Sequence, residues 1–205
     1  MSATGQELEV KFNLPDLASL EQRLVVQGAR LLQARIHEIN LRFDTVDGAL
    51  SRSYQVLRLR QDSAARLTYK GPGEVRDGVR LRRELEFTVS DFDTARLFLV
   101  ALGYQVIFMY EKYRATYEFD NVLVVLDEMP YGNFAEIEGP DGGSIQAAAG
   151  RLDLDWQRRI LESYTVLFER AKVSLGLSFR DLSFANFAGL AVTAADLGVV
   201  PAALG

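Results

Sequence analysis

The sequence predicts an α+β protein in which eight antiparallel strands close into a β-barrel with a charged interior and helices packed outside. Three observations lead to this fold class. About eight segments read as strands, most of them are joined by short turns, and amphipathic segments lie between some of them. Short turns favour antiparallel pairing, and many strands of similar length favour either a closed barrel or a two-sheet sandwich.

The predicted elements follow one another along the whole chain. Strands are predicted over residues 6–13, 31–44, 54–61, 66–70, 79–89, 104–119, 122–128 and 134–138. Helices are predicted over residues 15–28, 91–102, 141–151 and 162–175. Turn residues separate most of these segments, and the Gly-Pro-Gly sequence at residues 71–73 is predicted as a loop.

Composition narrows the function before any motif is considered. The 205 residues include no Cys, which excludes disulfides and Cys nucleophiles, and His37 is the only histidine, which argues against a Ser-His-Asp triad. The formal net charge of −5 means that the surface as a whole is not expected to attract nucleic acid. No signal peptide or membrane span is recognisable, so we expect a cytoplasmic protein without membrane contact. An anionic ligand would therefore need a local cluster of Lys and Arg.

Pairs of charged residues two positions apart recur on most of the predicted strands. The first strand carries Glu7, Glu9 and Lys11 on one face, with Leu8 and Val10 on the other. The later strands carry, on their polar faces, Arg58, Arg60, Arg66, Lys70, Arg80, Arg82, Glu84, Glu86, Lys112, Arg114, Asp127, Glu136 and Glu138. One interpretation is a solvated outer face. Such a face, however, has no reason to repeat Arg and Glu on almost every strand, and it would normally include more Ser, Thr, Gln and Asn.

The repeated charges favour a barrel with charged residues in its interior and apolar residues on its outer face. Charged side chains would line the bore, and apolar side chains would point outward beneath the amphipathic segments near residues 17–28, 91–102 and 162–175. Lys and Arg bind phosphate oxygens, and paired carboxylates hold a hard divalent ion such as Mg²⁺ together with substrate phosphates. Neither kind of charge could be buried alone, but each neutralises the other and the ligand.

These motifs resemble the CYTH domain, or triphosphate tunnel metalloenzyme, superfamily. The resemblance begins with the ExExK signature, Glu7-Leu8-Glu9-Val10-Lys11. Further blocks follow in the family's order: FDT at residues 43–45, LRLR at 57–60, TYKGP at 68–72, RRELE at 82–86, EKYR at 111–114, LD at 126–127, GNFAEIE at 132–138 and SY at 163–164. Together they span about residues 5–170. The family fold is an eight-stranded antiparallel tunnel, which agrees with the strand count.

The resemblance implies a role for each group of charges. The triphosphate would be bound by Lys11, Arg58, Arg60, Lys70, Arg82, Lys112 and Arg114. Mg²⁺ or Mn²⁺ would be held by Glu7, Glu9, Glu136 and Glu138, with Glu84, Glu86 and Asp127 as further candidates. Glu9, Lys70 and Glu138 would be catalytic. The second strand departs from the family pattern, because Asn40-Leu41-Arg42 stands where an aspartate and an aromatic residue often occur, and no role is carried over to it.

The resemblance leaves the reaction open. The first hypothesis is a divalent-metal-dependent hydrolase that releases phosphate from inorganic tripolyphosphate, thiamine triphosphate or a nucleoside triphosphate. The second is a class IV adenylate cyclase, which converts ATP to cyclic AMP and pyrophosphate. The third is a non-catalytic binding module for polyphosphate or nucleotide. The many carboxylates count against the third, because a pure anion binder gains nothing from them.

The chain is expected to divide into a tunnel domain at residues 1–172 and an extension at residues 173–205. The extension is apolar and nearly uncharged from residue 174 onward. Asp196 and Pro201 argue against a membrane span within it. A stretch this apolar must be covered, so we expect it to pack on the barrel or at a homodimer interface.

Overall fold

The computed structural model describes residues 5–202, in which eight antiparallel strands form one sheet that closes into a ring. The strands are β1 (Gln6–Leu14), β2 (Arg30–Thr45), β3 (Val56–Gln61), β4 (Ala65–Arg76), β5 (Val79–Val89), β6 (Tyr104–Phe119), β7 (Val122–Met129) and β8 (Gly132–Glu138). Their order in the ring is β1-β5-β4-β3-β2-β6-β7-β8, and β8 pairs with β1 to complete it. The predicted eight-stranded antiparallel sheet, closed on itself with helices outside, is confirmed.

Six α-helices and one 3-10 helix, at Trp156–Arg158, accompany the sheet within the described residues. The α-helices are α1 (Ala18–Val26), α2 (Ala49–Arg52), α3 (Phe92–Ala101), α4 (Gly142–Arg151), α5 (Tyr164–Leu175) and α6 (Phe184–Phe187). The side chains of Asp91, Asp141 and Ser163 accept backbone N–H bonds at the starts of α3, α4 and α5, which fixes where these helices begin. The short α2 and α6 were not predicted, because four residues show no helical period. Between residues 5 and 202, no helix is both long and apolar enough to span a membrane.

Strand β4 corrects one prediction. Residues 71–73 were expected to form a loop, but β4 continues through them to Arg76. The pairing with β5 shifts register between Lys70 and Gly73, which is a β-bulge. A bulge accommodates Pro72, which has no N–H to donate, and it leaves the Gly71 carbonyl to accept a hydrogen bond from Arg82 Nε at 2.7 Å. The irregularity predicted as a loop is therefore a distortion inside a strand.

The main apolar core lies outside the ring. Val10 of β1 and Ile137 of β8 face each other across the strands and are completely buried against Leu24 of α1 and Ile145 of α4. A smaller cluster beneath α3 includes Leu99. Side chains alternate between the two faces of a strand, so placing the apolar set outside puts the charged set inside. The helices are needed because an inverted sheet must bury its outer face.

Helix α5 and the segment that follows it cover part of one end of the ring. Phe168 of α5 is fully buried and stacks on Phe108 of β6, with 5.7 Å between ring centroids. Leu182 is also buried, and its backbone bonds to Met109 and Glu111 of β6. Further along, the N–H of Ala202 donates to the Asn13 carbonyl at 2.9 Å. Residues 203–205 of the predicted extension lie outside the described residues, as do residues 1–4 of the predicted tunnel domain.

Replacing Phe168 with Ala tests how strongly this cluster holds α5. We expect the free energy of unfolding to fall by about 3–5 kcal/mol, because the change leaves a large cavity in an apolar cluster. Phe98→Ala on α3 is the matched control, since that ring is 62% exposed and its loss should cost about 0.5 kcal/mol or less. Chemical denaturation of both variants measures the difference. Equal losses would show that α5 is not held by this contact.

Candidate functional site

The interior of the ring contains a cavity of about 850 Å³, a size suited to a small ligand. All seven predicted phosphate-binding cations line it: Lys11, Arg58, Arg60, Lys70, Arg82, Lys112 and Arg114. Six of the seven predicted metal ligands line it as well: Glu7, Glu9, Glu84, Glu86, Glu136 and Glu138. Asp127 is the exception, because it is fully buried beneath the cations. The structure therefore brings the predicted residues together from β1, β3, β4, β5, β6 and β8.

Two lysines join the carboxylates of β1 to those of neighbouring strands. Lys11 Nζ lies 2.8 Å from Glu9 and 3.2 Å from Glu136. Burial acts to lower the pKa of Lys11, but the two carboxylates outweigh it and leave that pKa above its ordinary value. Lys70 Nζ lies 2.7 Å from Glu7 and 3.0 Å from Glu84. Both lysines are thus held in the charged form inside the ring.

Asp127 anchors the cations of β6. Its carboxylate lies 2.9 Å from Lys112 and 2.6 Å from Arg114, and it accepts a hydrogen bond from the Tyr164 hydroxyl at 2.8 Å. The Tyr164 ring is 5.4 Å from Lys112 Nζ and equally far from Lys11 Nζ, so its face adds to the stabilisation of both ammonium groups. With three partners and no exposure, Asp127 orients cations and does not face the cavity.

Glu86 anchors the cations of β3 in the same way. Its carboxylate accepts hydrogen bonds from Arg60 at 2.9 Å and from Thr68 at 2.7 Å, and it lies 3.4 Å from Arg58. These three partners come from β3 and β4, the next strands in the ring. Glu86 therefore positions the guanidinium groups of β3.

Three carboxylates form a separate group that could hold a metal ion. Oxygens of Glu7, Glu9 and Glu138 lie within 4.8 Å of one another, and Glu9 and Glu138 are opposite residues on β1 and β8. Burial, Glu7 and Glu136 raise the pKa of Glu138 to about 8, since like charges crowd around it. A divalent cation would relieve that crowding. Hard oxygen donors are the ligands that Mg²⁺ and Mn²⁺ take, so these residues fit the ion that was predicted.

The remaining metal-ligand candidates lie outside this group. Glu136, predicted among the leading ligands, contacts Lys11 and Arg114. Burial acts to raise the pKa of Glu136, but those two cations outweigh it and hold that pKa well below its ordinary value. Glu84, Glu86 and Asp127 are likewise paired with Lys or Arg. Glu7 and Glu9 also contact Lys70 and Lys11, so the crowded group differs from these anchors in two other respects: its carboxylates lie close to one another, and Glu138 has no Lys or Arg nitrogen within 4.0 Å among residues 5–202.

Three arginines of the interior lack a carboxylate partner. Within residues 5–202, no carboxylate oxygen lies within 4.0 Å of a side-chain nitrogen of Arg42, Arg80 or Arg82. Arg82 instead donates to the Gly71 and Tyr54 carbonyls, at 2.7 and 3.2 Å. Burial, followed by the nearby Arg80 charge, lowers the pKa of Arg82 to about 10. Positive charge that no carboxylate balances is suited to binding an anion.

Strand β2 contributes residues that the sequence analysis left without a role. Glu38 is 1% exposed and lies 3.5 Å from Arg60 and 3.8 Å from Lys112. Burial acts to raise the pKa of Glu38, but Lys112 and Arg114 outweigh it and lower that pKa to about 2. Arg42 lines the cavity and donates to the Thr165 hydroxyl at 3.1 Å. The period-two alternation of residues 38, 40 and 42 was a signal that could have placed them inside.

The fold and the site define a closed-sheet protein whose charged cavity could hold an anion and a metal ion together. The family model described as CYTH domain matches residues 5–170, and the chain belongs to the CYTH family. The recognition made from the sequence motifs is thereby confirmed. No curated protein matches the chain.

Solved structures share this fold at low sequence identity. A protein from Vibrio parahaemolyticus, described as a candidate adenylate cyclase, has a TM-score of 0.71 and 21% identity, covering 80% of this chain and 97% of its own. The PH1012 protein of Pyrococcus horikoshii has a TM-score of 0.65 and 24% identity, covering 77% and 96%. A Hippeastrum protein, described as a candidate adenylyl cyclase with a dominant triphosphatase activity, has a TM-score of 0.56 and 18% identity, covering 80% and 95%. These likenesses show the fold.

The raised pKa of Glu138 gives a pH dependence that can be measured. Between its ordinary value of 4.5 and about 8, the folded chain keeps a proton that the unfolded chain releases. Stability should therefore fall as the pH rises through this window. Glu138→Gln removes the titration, so in EDTA we expect little difference in Tm from the unaltered protein at pH 5. At pH 9 the variant should have the higher Tm, by roughly 2–4 °C for each kcal/mol gained.

Glu74→Gln is the control for this measurement, since Glu74 is exposed on β4 and pairs with Arg76 in solvent. Its Tm should follow that of the unaltered protein at both pH values. A Tm difference for Glu138→Gln that does not widen between pH 5 and pH 9 would show that the Glu138 carboxyl ionises normally.

Proposed function

We propose that this protein is a divalent-metal-dependent hydrolase of a triphosphate, releasing phosphate. The observation that carries the proposal is the crowded group of Glu7, Glu9 and Glu138, which shares one cavity with cations that have no carboxylate partner. Membership of the CYTH family supports it, and so does the fold shared with a Hippeastrum protein described as having a dominant triphosphatase activity. Inorganic tripolyphosphate, thiamine triphosphate and nucleoside triphosphates are the candidate substrates.

The cations would bind the phosphate oxygens. Arg82 and Arg42 have guanidinium nitrogens that no carboxylate occupies, so a phosphate would gain charge-assisted hydrogen bonds without breaking an ion pair. Lys11, Lys70 and Lys112 reach the same cavity as point charges. The anchoring carboxylates of Asp127 and Glu86 fix the other cations before the substrate arrives, which reduces the cost of ordering them during binding.

The crowded carboxylates would hold Mg²⁺ or Mn²⁺. When bound there, the ion would supply positive charge at the terminal phosphoryl group and lower the pKa of water. Glu9 and Glu138 would orient a water molecule toward the terminal phosphorus. A bond would form from the water oxygen to the terminal phosphorus, the phosphoanhydride bond to the remaining diphosphate would break, and the proton that the water loses would pass to the Glu9 or Glu138 carboxylate. Lys70, 2.7 Å from Glu7, would stabilise negative charge on the phosphoryl oxygens during this step.

A class IV adenylate cyclase is the second candidate. The fold shared with a Vibrio parahaemolyticus protein described as a candidate adenylate cyclase favours it. The same cations and ion would serve, but a ribose hydroxyl would attack the α-phosphorus and pyrophosphate would leave. A binding module without catalysis is less well supported, since it would not need three crowded carboxylates beside its cations.

A product assay distinguishes these functions. The purified protein is incubated with Mg²⁺ or Mn²⁺ and, separately, with tripolyphosphate, thiamine triphosphate and ATP, and phosphate, pyrophosphate and cyclic AMP are measured. We expect phosphate release that EDTA abolishes. Cyclic AMP together with pyrophosphate would establish the cyclase instead. Tight binding without any turnover would identify a binding module.

Replacing Glu9 with Gln tests the carboxylate group directly. Loss of a partner that only orients a metal ligand typically costs 10–100-fold, so loss of a direct ligand should lower turnover by on the order of 10²-fold or more. Binding of tripolyphosphate in EDTA, measured by calorimetry, should persist because Lys11 keeps Glu136 as a partner. Glu74→Gln is again the control and should leave turnover unchanged. Full metal-dependent activity of Glu9→Gln would place the metal elsewhere.

Three other expectations remain predictions. They are a cytoplasmic location, the absence of nucleic-acid binding, and coverage of residues 173–205 by the ring or by a second copy of the chain. Size-exclusion chromatography with light scattering would decide whether the protein is a monomer or a homodimer.

A further inference from the structure

Tyr54 adopts a backbone conformation that its residue type disfavours. It lies between α2 and β3 with a φ of 56°. The other non-glycine residues with positive φ in the described part of the chain are Asp77, Asp120 and Asp153. Aspartate tolerates this region because its short polar side chain can bond locally, whereas a bulky aromatic residue rarely enters it. The sequence therefore keeps a tyrosine where Gly, Asn or Asp would be less strained.

The Tyr54 ring does no packing that would explain this strain. Its side chain is among the large apolar groups left in solvent, and the residue is 79% exposed. No aromatic or cation–π contact involves the ring among residues 5–202, and it belongs to none of the apolar clusters there. Backbone strain that no packing explains is a reason to look for a functional role.

Tyr54 lies where the cavity opens beside the start of β3. It lines the cavity together with Pro72, Gly73 and Arg82. Its backbone carbonyl accepts a hydrogen bond from Arg82 Nη2 at 3.2 Å, so the same residue that exposes the ring also fixes a guanidinium without a carboxylate partner. Arg82 in turn faces Glu7 across β5 and β1. Tyr54, the Arg82 guanidinium and the crowded carboxylates are thus connected by one hydrogen bond and one strand pairing.

We propose that the Tyr54 ring is a stacking surface for the flat aromatic group of an organic triphosphate. The phosphate nearest that group would bind Arg82, and the terminal phosphate would lie toward Glu7 and Glu9. This inference rests on the proposed function and narrows its substrate class to triphosphates that carry an aromatic ring, such as adenine or the rings of thiamine. Stacking needs only the face of a ring, which an exposed tyrosine supplies.

Calorimetric binding in EDTA, where no turnover occurs, tests the inference. ATP, thiamine triphosphate and inorganic tripolyphosphate are titrated into the unaltered protein, Tyr54→Asn and Tyr54→Phe. Asn tolerates positive φ but has no ring, whereas Phe keeps the ring. For Tyr54→Asn we expect the ratio of the Kd for the ring-bearing ligand to the Kd for tripolyphosphate to rise about tenfold. Tyr54→Phe should keep the ratio of the unaltered protein.

Phe98→Ala is the matched control, because Phe98 is also an exposed aromatic residue but lies on α3, outside the cavity lining. An unchanged Kd ratio in Tyr54→Asn would overturn the inference while leaving the proposed function standing. A Phe variant that behaves like the Asn variant would assign the effect to the hydroxyl group and overturn stacking. Failure of all three ligands to bind the unaltered protein in EDTA, together with no turnover of any of them in the product assay with Mg²⁺ or Mn²⁺, would remove the proposed function, and this inference with it. If the ligands are turned over but do not bind in EDTA, the same ratio is measured from their KM values with Mg²⁺ present. The two ring-bearing ligands together show which aromatic group is preferred.

Discussion

The whole structure depends on the mutual neutralisation of charges inside a closed sheet. A buried ion without a partner costs several kcal/mol, so the interior can hold its carboxylates in the ionised form only if lysines and arginines lie within contact distance. Asp127 is an example, because its fully buried carboxylate forms ion pairs with both Lys112 and Arg114. Filling the inside with charge forces the apolar residues outward, and α1 and α4 are needed to cover them. Site and fold are therefore set by the same alternation of side chains.

The charges inside the ring are not neutralised equally everywhere, and the regions of excess charge are suited to binding ligands of opposite charge. Positive charge accumulates at Arg82, and negative charge accumulates around Glu138. Under the proposed function, a divalent ion at Glu7 and Glu9 would weaken their hold on Lys70 and Lys11 and free both lysines for phosphate. Binding of the ion and of the phosphates would then favour each other by the same factor, as linkage requires. Ion pairs between the lysines and the glutamates therefore keep both sets of charges stable in the interior until the divalent ion and the phosphates bind.

The closed sheet and most of the residues that line its cavity were predicted from the sequence, because a period-two charge pattern and its repetition on several strands occur together. Period two placed Glu7, Glu9 and Lys11 on one face, and the repetition of that pattern on later strands predicted that the face is interior. Contacts between strands could not be predicted in this way, because they depend on register. The sequence could not show that Glu136 pairs with Lys11 and Arg114, or that a bulge keeps residues 71–73 inside β4. Glu38 was not predicted because β2 departs from the family pattern, although its alternation with Asn40 and Arg42 places it inside the ring.

Charge alone cannot decide between hydrolysis and cyclisation, since both reactions use the same cations and the same ion. The direction in which the triphosphate lies in the cavity does bear on the choice. A ring held at Tyr54 would place the α-phosphorus next to Arg82 and the terminal phosphorus nearest the crowded carboxylates. Cyclisation requires activation at the α-phosphorus, whereas hydrolysis requires it at the terminal one. If Tyr54 stacks on the substrate, the position of Glu9 and Glu138 therefore favours hydrolysis, and the residue at the mouth helps to select the reaction inside.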